Sequence, residues 1–198
     1  MQNSATRNVA PASTIGLALL AAASIAHPAG AAISIVGGGL GRDCFMAAEL
    51  KRETRTSLGT CTRALEESLS RKDRAATHVN RGIIYMQARN LDMAMRDYAE
   101  AIRMEPSLAE AHVNLGIALL HRGGHDREAI ASLTRGIDMK PARPEVALYT
   151  RAVAYEMVGD AKAAFEDYSA AAAARPDWNE PAEQLKRFQV ERKRVGSG

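Results

Sequence analysis

The amino-acid sequence predicts an all-α fold in which pairs of helices stack into a solenoid. Three related phrases, VNRGIIY, VNLGIAL and YTRAVAY, occur at residues 79–85, 113–119 and 149–155, so their central small residues are 34 and 36 positions apart. A proline closes each unit at an interval of 35 residues, at Pro106, Pro141 and Pro176. A period of this size, with two helical patterns per unit, is typical of helical repeat proteins. Aromatic residues make up only 5% of the chain and alanine is abundant, which favours close helix packing over a sheet.

The beginning of the chain, residues 1–31, has the pattern of a secretory signal peptide. Residues 1–13 contain one positive side chain and no acidic one, and an apolar run follows at 15–26. Ala29-Gly30-Ala31 fits the small-x-small pattern of a cleavage site, so we place cleavage after the last of these residues. An uncleaved membrane anchor is the alternative, but 12 apolar residues are too short to span a bilayer. We therefore expect a periplasmic or secreted protein with no stable membrane insertion after cleavage.

Charge and motif content argue against two large classes of function. The formal charge of +3 is spread along the chain, and loss of residues 1–31, with one arginine and no acid, would lower it to +2. A small, evenly spread charge argues against a nucleic-acid-binding surface. No serine stands in a nucleophile elbow, and no paired carboxylates stand in a plausible cleft. We therefore expect neither an enzyme nor a cofactor.

The two cysteines, Cys44 and Cys61, belong to a predicted helical hairpin that precedes the repeats. They stand nearly symmetrically about a polar turn at residues 53–57, so the two thiols would face each other across the hairpin. An oxidising compartment favours a disulfide between them. Two free buried thiols are the alternative. A thiol nucleophile is disfavoured, because no histidine stands nearby in sequence.

Each repeat unit contains two amphipathic helical patterns. Both have apolar or small residues at i, i+4 and i+7, the spacing of one helix face. The first helices carry His78/Gly82/Tyr85, His112/Gly116/Leu119 and Leu148/Ala152/Tyr155, and the second helices carry Ala94/Tyr98/Ala101, Ala129/Leu133/Gly136 and Ala164/Tyr168/Ala171. The small residue in the middle of each first stripe would let the second helix approach closely. Asn90, Asp126 and Asp160 stand where the second helices should begin and are good N-caps.

This pattern resembles the tetratricopeptide repeat (TPR). The family's small residue, aromatics, alanine and closing proline stand as Gly82, Tyr85, Ala94, Tyr98 and Pro106 in the first unit and as Ala152, Tyr155, Ala164, Tyr168 and Pro176 in the third. The middle unit departs from the pattern, since Leu119 and Leu133 replace the aromatics and HRGGHD carries one extra residue. The resemblance covers residues 75–176 and implies a TPR-like helical solenoid.

The repeats and their flanking segments divide the sequence as follows. A flexible N-terminus (32–42) and a degenerate helical hairpin (43–74) precede three clear TPR units (75–108, 109–144, 145–178), and a C-terminal capping helix and tail follow (179–198). Leu185 and Phe188 are the apolar residues of an otherwise charged tail, which is typical of a solubilising cap. We expect Trp178 to pack where this cap meets the last repeat.

A second apolar stripe on the first helices is the candidate binding surface. Its members are Val79, Ile83, Met86, Val113, Ile117, Leu120, Tyr149, Val153 and Glu156, rotated by one residue from the first stripe. The resemblance implies that these positions line a concave groove for peptides. Asn80 and Asn114 stand where the family often places an asparagine that holds a peptide's backbone, and a carboxamide both donates and accepts. The sequence therefore predicts a protein-binding scaffold that takes a peptide or helix of a partner in the cell envelope.

Several alternatives to this hypothesis remain open. The second stripe could be core, covered by a neighbouring helix, by the N-terminal segment or by a second subunit, and the last case would make the protein a self-assembling homodimer. The substitution Ile117→Asp should separate these readings, because it would abolish binding in an open groove but unfold a core. A metal-dependent enzyme centred on His121, His125 and Asp126 is a weaker alternative, since two glycines between the histidines favour a turn.

Overall fold

The computed structural model describes residues 31–35, 39–51 and 54–188, and within them the chain is all-α. The helices are α1 (Leu40–Glu49), α2 (Thr54–Glu66), α3 (Arg71–Gln87), α4 (Leu91–Met104), α5 (Ala109–Arg122), α6 (Asp126–Asp138), α7 (Pro144–Met157), α8 (Ala161–Ala174) and α9 (Asn179–Leu185). Consecutive helices pack as hairpins, and each hairpin stacks on the next. In the described ranges, no helix combines the length and the apolar character needed to cross a bilayer.

Small residues set the close approach of the two helices in each repeat, as predicted. A Cβ atom added at Gly82 would lie 2.4 Å from a ring carbon of Tyr98, and one added at Gly116 would lie 2.5 Å from Cγ of Leu133. The middle repeat has a second contact of this kind, where a Cβ at Gly136 would lie 2.6 Å from Val113. Real side chains do not approach so closely, so these positions require glycine at the observed helix separation.

Side-chain N-caps begin three of the described helices, α3, α4 and α8. The side-chain oxygens of Asn90 and Asp160 accept hydrogen bonds from the backbone N–H groups of Met93 (3.3 Å) and Ala163 (3.0 Å), which confirms two predicted N-caps. The third prediction was wrong by one residue, because His125 is the N-cap of α6 and Asp126 is the first helical residue. A carboxylate in the first turn still interacts favourably with the helix dipole.

The N-terminal hairpin differs from the sequence prediction in its boundaries. Helix α2 begins at Thr54, inside the turn expected at residues 53–57, because Ser57 is buried with Cys61 and Ala64 on one face of the helix. The Sγ atoms of Cys44 and Cys61 lie 2.08 Å apart, as in a disulfide. The alternative of two separated buried thiols does not describe this structure.

The residues that flank the C-terminal helix α9 pack aromatic side chains on the last repeat. Trp178 packs on Tyr149 with 4.9 Å between ring centroids, which confirms the predicted role of Trp178. Phe188 lies 6.0 Å from Tyr168, and Leu185 joins the same cluster. Aromatic contacts of this kind contribute to packing energy and hold the C-terminal segment on the last repeat. The tail beyond residue 188 lies outside the described residues.

Candidate functional site

The face formed by α3, α5 and α7 corresponds to the predicted concave groove, and an extended piece of the same chain lies on it. Residues 31–35, which we call the N-terminal segment, run with Ala31 beside α5, Ile33 beside α3 and Ile35 beside α1. We expected residues 32–42 to be flexible. Within the described residues, the first part of this range is instead held on the groove, and helix α1 begins at Leu40.

Asn80 on α3 holds the N-terminal segment by its main chain. The Ile33 N–H donates to Oδ1 of Asn80 at 2.8 Å, and Nδ2 of Asn80 donates to the Ile33 carbonyl at 2.8 Å. The side chain of Asn80 is fully buried, so its donor and acceptor both need partners. These two hydrogen bonds use only main-chain groups, so they do not depend on the side chain at that position of the peptide.

Asn114 on α5 makes the corresponding contact one repeat further along. Its Nδ2 donates to the carbonyl of Ala31 at 3.3 Å, a longer bond than those of Asn80. Asn114 is also buried, at 3% exposure. The two asparagines selected from the sequence therefore act on the same extended segment, two residues apart along it.

The side chains of the N-terminal segment alternate in the manner of a half-buried strand. Ile33 is partly buried and packs with Ala32 against the core cluster of the first hairpins, Ser34 is exposed, and Ile35 is 6% exposed. The Cδ1 atom of Ile35 approaches the position of a Cβ at Gly41 to 3.4 Å. On either side of the exposed Ser34, Ile33 and Ile35 therefore both pack on the protein, Ile35 against α1.

Most of the second apolar stripe is buried within the chain. Exposure is between 0 and 4% for Val79, Ile83, Val113, Ile117 and Tyr149, which belong to three core clusters. Met86, Leu120, Val153 and Glu156 keep intermediate exposure. Neighbouring helices cover much of the stripe, and the N-terminal segment contacts the adjacent Asn80 and Asn114. Whether the stripe residues bind a partner stays a prediction.

The third repeat lacks an equivalent of the two asparagines. Thr150 occupies the corresponding position, and its Oγ1 donates to the Val146 carbonyl of its own helix at 2.8 Å. Glu156 accepts a hydrogen bond from Arg187 of the capping segment. This end of the groove is therefore linked to the C-terminal cap by side chains and holds no extended backbone among the described residues.

A buried ion pair fixes α3, which carries Asn80, against α4. The Arg81 guanidinium donates two hydrogen bonds of 2.8 Å to the Asp97 carboxylate, and His78 Nδ1 lies 2.8 Å from the same carboxylate. Burial opposes ionisation of Asp97, but the hydrogen bonds from Arg81 and His78 hold its pKa below its ordinary value. Arg151 and Asp167 form the same two-bonded pair in the third repeat, at 2.7 and 2.8 Å. The pairs orient the helices that form the groove.

The histidine-rich turn between α5 and α6 does not form a metal centre in this structure. His125 Nδ1 pairs with Glu128 on the same helix, and His121 lies on the preceding helix. No group of three His, Cys, Asp or Glu side chains suited to a metal ion occurs in the part of the chain that the structure describes.

Comparison with known proteins agrees with the repeat assignment. Residues 75–108 match the family model described as Tetratricopeptide repeat. A crystal structure of MamA has 18% identity and a TM-score of 0.62, over 76% of this chain and 82% of that chain. The fold is a TPR-like helical solenoid. A crystal structure of YrrB, described as a TPR protein with an unusual peptide-binding site, has 17% identity and a TM-score of 0.59, over 75% of each chain. Among curated proteins, none matches the sequence.

Sequence reasoning selected the asparagines of the TPR groove but missed the residues that they hold. The interval AISI alternates apolar and polar residues after Ala32, which is the pattern of a strand with one buried face. This interval follows the predicted cleavage site and precedes a glycine cluster, and these neighbours favour a flexible N-terminus over residues 32–42. From the sequence, the N-terminal segment is only one of three elements that could cover the second apolar stripe.

Proposed function

We propose that this TPR protein is a protein-interaction scaffold that binds an extended peptide segment of a partner along α3 and α5. The observation that carries the proposal is the pairing of Asn80 with both main-chain groups of Ile33, at 2.8 Å each. A buried carboxamide that bonds an extended backbone from outside its own helix has the chemistry of a peptide-binding group. YrrB, which shares the fold, is described as having a peptide-binding site.

The energetics of the asparagine contacts fit a reversible binding site. A buried donor or acceptor that loses its partner costs about 1–3 kcal/mol, so Asn80 favours an occupied groove. The same pairing can be made by any extended backbone, because it uses no side chain of the occupant. A partner's segment can therefore replace the N-terminal segment, and Asn80 is paired again in the final complex.

We also propose that the protein is exported and that the partner belongs to the envelope. The predicted cleavage after Ala31 would remove the carbonyl that Asn114 contacts and leave both Asn80 contacts to Ile33 intact. The facing positions of Cys44 and Cys61 favour the same compartment, because disulfides persist under oxidising conditions. N-terminal sequencing of exported protein and a thiol titration without reductant test these points. A chain that retains residues 1–31, or two titratable thiols, would contradict them.

A self-assembled homodimer receives less support than a scaffold. The stripe that would form the subunit interface is mainly buried inside one chain, as Val113 and Ile117 illustrate at 4% exposure each. The substitution Ile117→Asp consequently no longer distinguishes the two functions, since a buried charge would destabilise the fold in either case. Light scattering over a wide concentration range tests the point directly, and we expect a monomer.

Selection from a displayed library of random decapeptides tests the scaffold function without knowledge of the partner. We expect enriched peptides that bind the wild-type chain and lose binding in Asn80→Ala, because that substitution removes both backbone contacts. Asn80→Asp is the matched variant, since it keeps the acceptor for an N–H but loses the donor to a carbonyl. Enriched peptides that bind Asn80→Ala as tightly as the wild type would contradict the proposal.

A further inference from the structure

The N-terminal segment gives the chemistry of a ligand that fits the groove. It carries no charged side chain, and its isoleucines at positions 33 and 35 are directed toward the protein while Ser34 is exposed. The stripe residues nearest the asparagines in sequence, Val79, Ile83, Val113 and Ile117, are apolar and buried, so they offer no counter-charge. An acidic or basic peptide would lose hydration on this face without gaining an ion pair.

The direction of the bound segment is also defined. Its carboxyl end points to α1, where Ile35 lies beside Gly41, and its amino end points to α5, where Ala31 meets Asn114. The next repeat in that direction presents Thr150, whose hydroxyl is bonded within its own helix. The main-chain contacts therefore define a short site, centred on the residue that pairs with Asn80.

We propose that the partner contributes an uncharged extended segment with β-branched apolar residues at alternate positions, and that it binds by replacing the N-terminal segment. This inference rests on the proposed function, because it names the ligand class of the same groove. The N-terminal segment is then an intramolecular competitor: tethered close to its site, it acts at an effective concentration of the order of millimolar. A peptide of equal intrinsic affinity binds weakly until the tethered segment is released.

A pair of proline variants of the full chain separates release from general perturbation. Ile33→Pro removes the N–H that donates to Asn80, together with the isoleucine side chain. Ser34→Pro is the matched control, because Ser34 is exposed and its N–H makes no hydrogen bond to a described residue. Proline disfavours a helical conformation in the residue before it, which an extended segment tolerates. Ile33→Asp is a second release variant, and circular dichroism checks that each variant keeps its helical content.

The probe is a fluorescent, end-capped peptide of residues 31–35, Ala-Ala-Ile-Ser-Ile, titrated into each variant. We expect Ile33→Pro and Ile33→Asp to bind it at least about tenfold more tightly than the wild type and Ser34→Pro do. Adding Asn80→Ala to Ile33→Pro should remove that gain. A peptide with aspartate at its third position should not bind, and one with an N-methylated third residue should bind at least about tenfold more weakly, because it lacks the N–H.

Three results would overturn the inference, and each leaves a distinct conclusion. Equal affinity of the wild type and Ile33→Pro would show that the N-terminal segment does not compete. Equal binding of the aspartate peptide would show that the ligand class is wrong, while Asn80-dependent peptides from the library would still support the scaffold function. A dimer in solution that Ile33→Pro dissociates would show that the segment's acceptor is a second copy of the chain.

Discussion

The two ends of the groove differ in what covers them. At the first repeat, Asn80 pairs with the main chain of a segment that belongs to no helix. At the third repeat, Tyr149 packs against Trp178, and Thr150 bonds within its own helix. Backbone pairing through one carboxamide can be transferred to another peptide, whereas aromatic packing depends on particular side chains. We therefore propose that the first repeat is the exchangeable end of the groove and the third repeat its closed end.

The largest expected effect comes from breaking the closed end with Tyr149→Ala. The ring is buried at 2% exposure between Tyr168 and Trp178, so its removal leaves a cavity beneath the cap. We expect a loss of about 4 kcal/mol in the free energy of unfolding, measured by urea titration. Affinity for the 31–35 peptide, measured in the Ile33→Pro background under native conditions, should be unchanged. A large loss of affinity in a folded variant would show that the two ends are not separate.

The second-largest effect is expected from Asp97→Asn, which breaks the Arg81–Asp97 ion pair between α3 and α4. This change leaves Arg81 buried without its counter-charge, and we expect a loss of about 3 kcal/mol at neutral pH. Because the pKa of Asp97 is lowered in the folded state, its stabilising contribution is present above the unfolded pKa of about 4 and is lost as pH falls through the folded pKa.

Urea titrations of both chains between pH 7 and pH 2.5 measure this dependence. The difference in stability between wild type and Asp97→Asn should be constant down to about pH 4 and should shrink below it. A difference that grows on acidification would contradict the assignment of Asp97 as the ionised partner of Arg81.

Asn80→Ala is expected to lower the free energy of unfolding less than Asp97→Asn does, and its main effect should be on peptide affinity. Loss of the two hydrogen bonds to Ile33 should lower the free energy of unfolding by about 1–2 kcal/mol. The same change should reduce peptide affinity in the Ile33→Pro background by at least about tenfold, by fluorescence titration. Asn114→Ala should follow with a smaller loss, since its single bond to Ala31 is longer. A larger effect for Asn114 than for Asn80 would reverse the order that the geometry predicts.

The smallest expected effect is that of Thr150→Val at the closed end. The Thr150 hydroxyl donates to the carbonyl of Val146 in its own helix, and valine keeps the shape of the side chain. We expect a change of less than about 1 kcal/mol in the free energy of unfolding and none in peptide affinity. A strong loss of peptide binding in Thr150→Val would show that the binding site extends into the third repeat.

The helical repeat could be read from the sequence because its determinants are local and periodic. Small residues such as Gly82 and Gly116, and N-caps such as Asn90, are defined by spacing, and the structure uses them as predicted. The resemblance to TPR proteins also selected Asn80, because its place in the repeat is fixed. These features need no information about distant parts of the chain.

The covering of the groove could not be read in this way. The contact of Ile33 with Asn80 joins residues 47 positions apart, and that of Ala31 with Asn114 joins residues 83 positions apart. The local sequence around Ile33 or Ala31 does not indicate which distant residue it contacts. The apolar spacing of the second stripe was correct as a helix pattern, but periodicity does not distinguish a face that binds a ligand from one buried by a neighbouring helix.

Amide hydrogen exchange at Ile33 tests the central claim most directly. Two-dimensional NMR of the uniformly ¹⁵N-labelled chain would compare the adjacent amides of Ile33, which donates to Asn80, and Ser34, which has no hydrogen bond to a described residue. We predict that the Ile33 amide is protected, that the Ser34 amide exchanges rapidly, and that Asn80→Ala removes the protection of Ile33 alone. Exchange at Ile33 as fast as at Ser34 in the wild type would contradict the claim that the groove holds an extended backbone through Asn80.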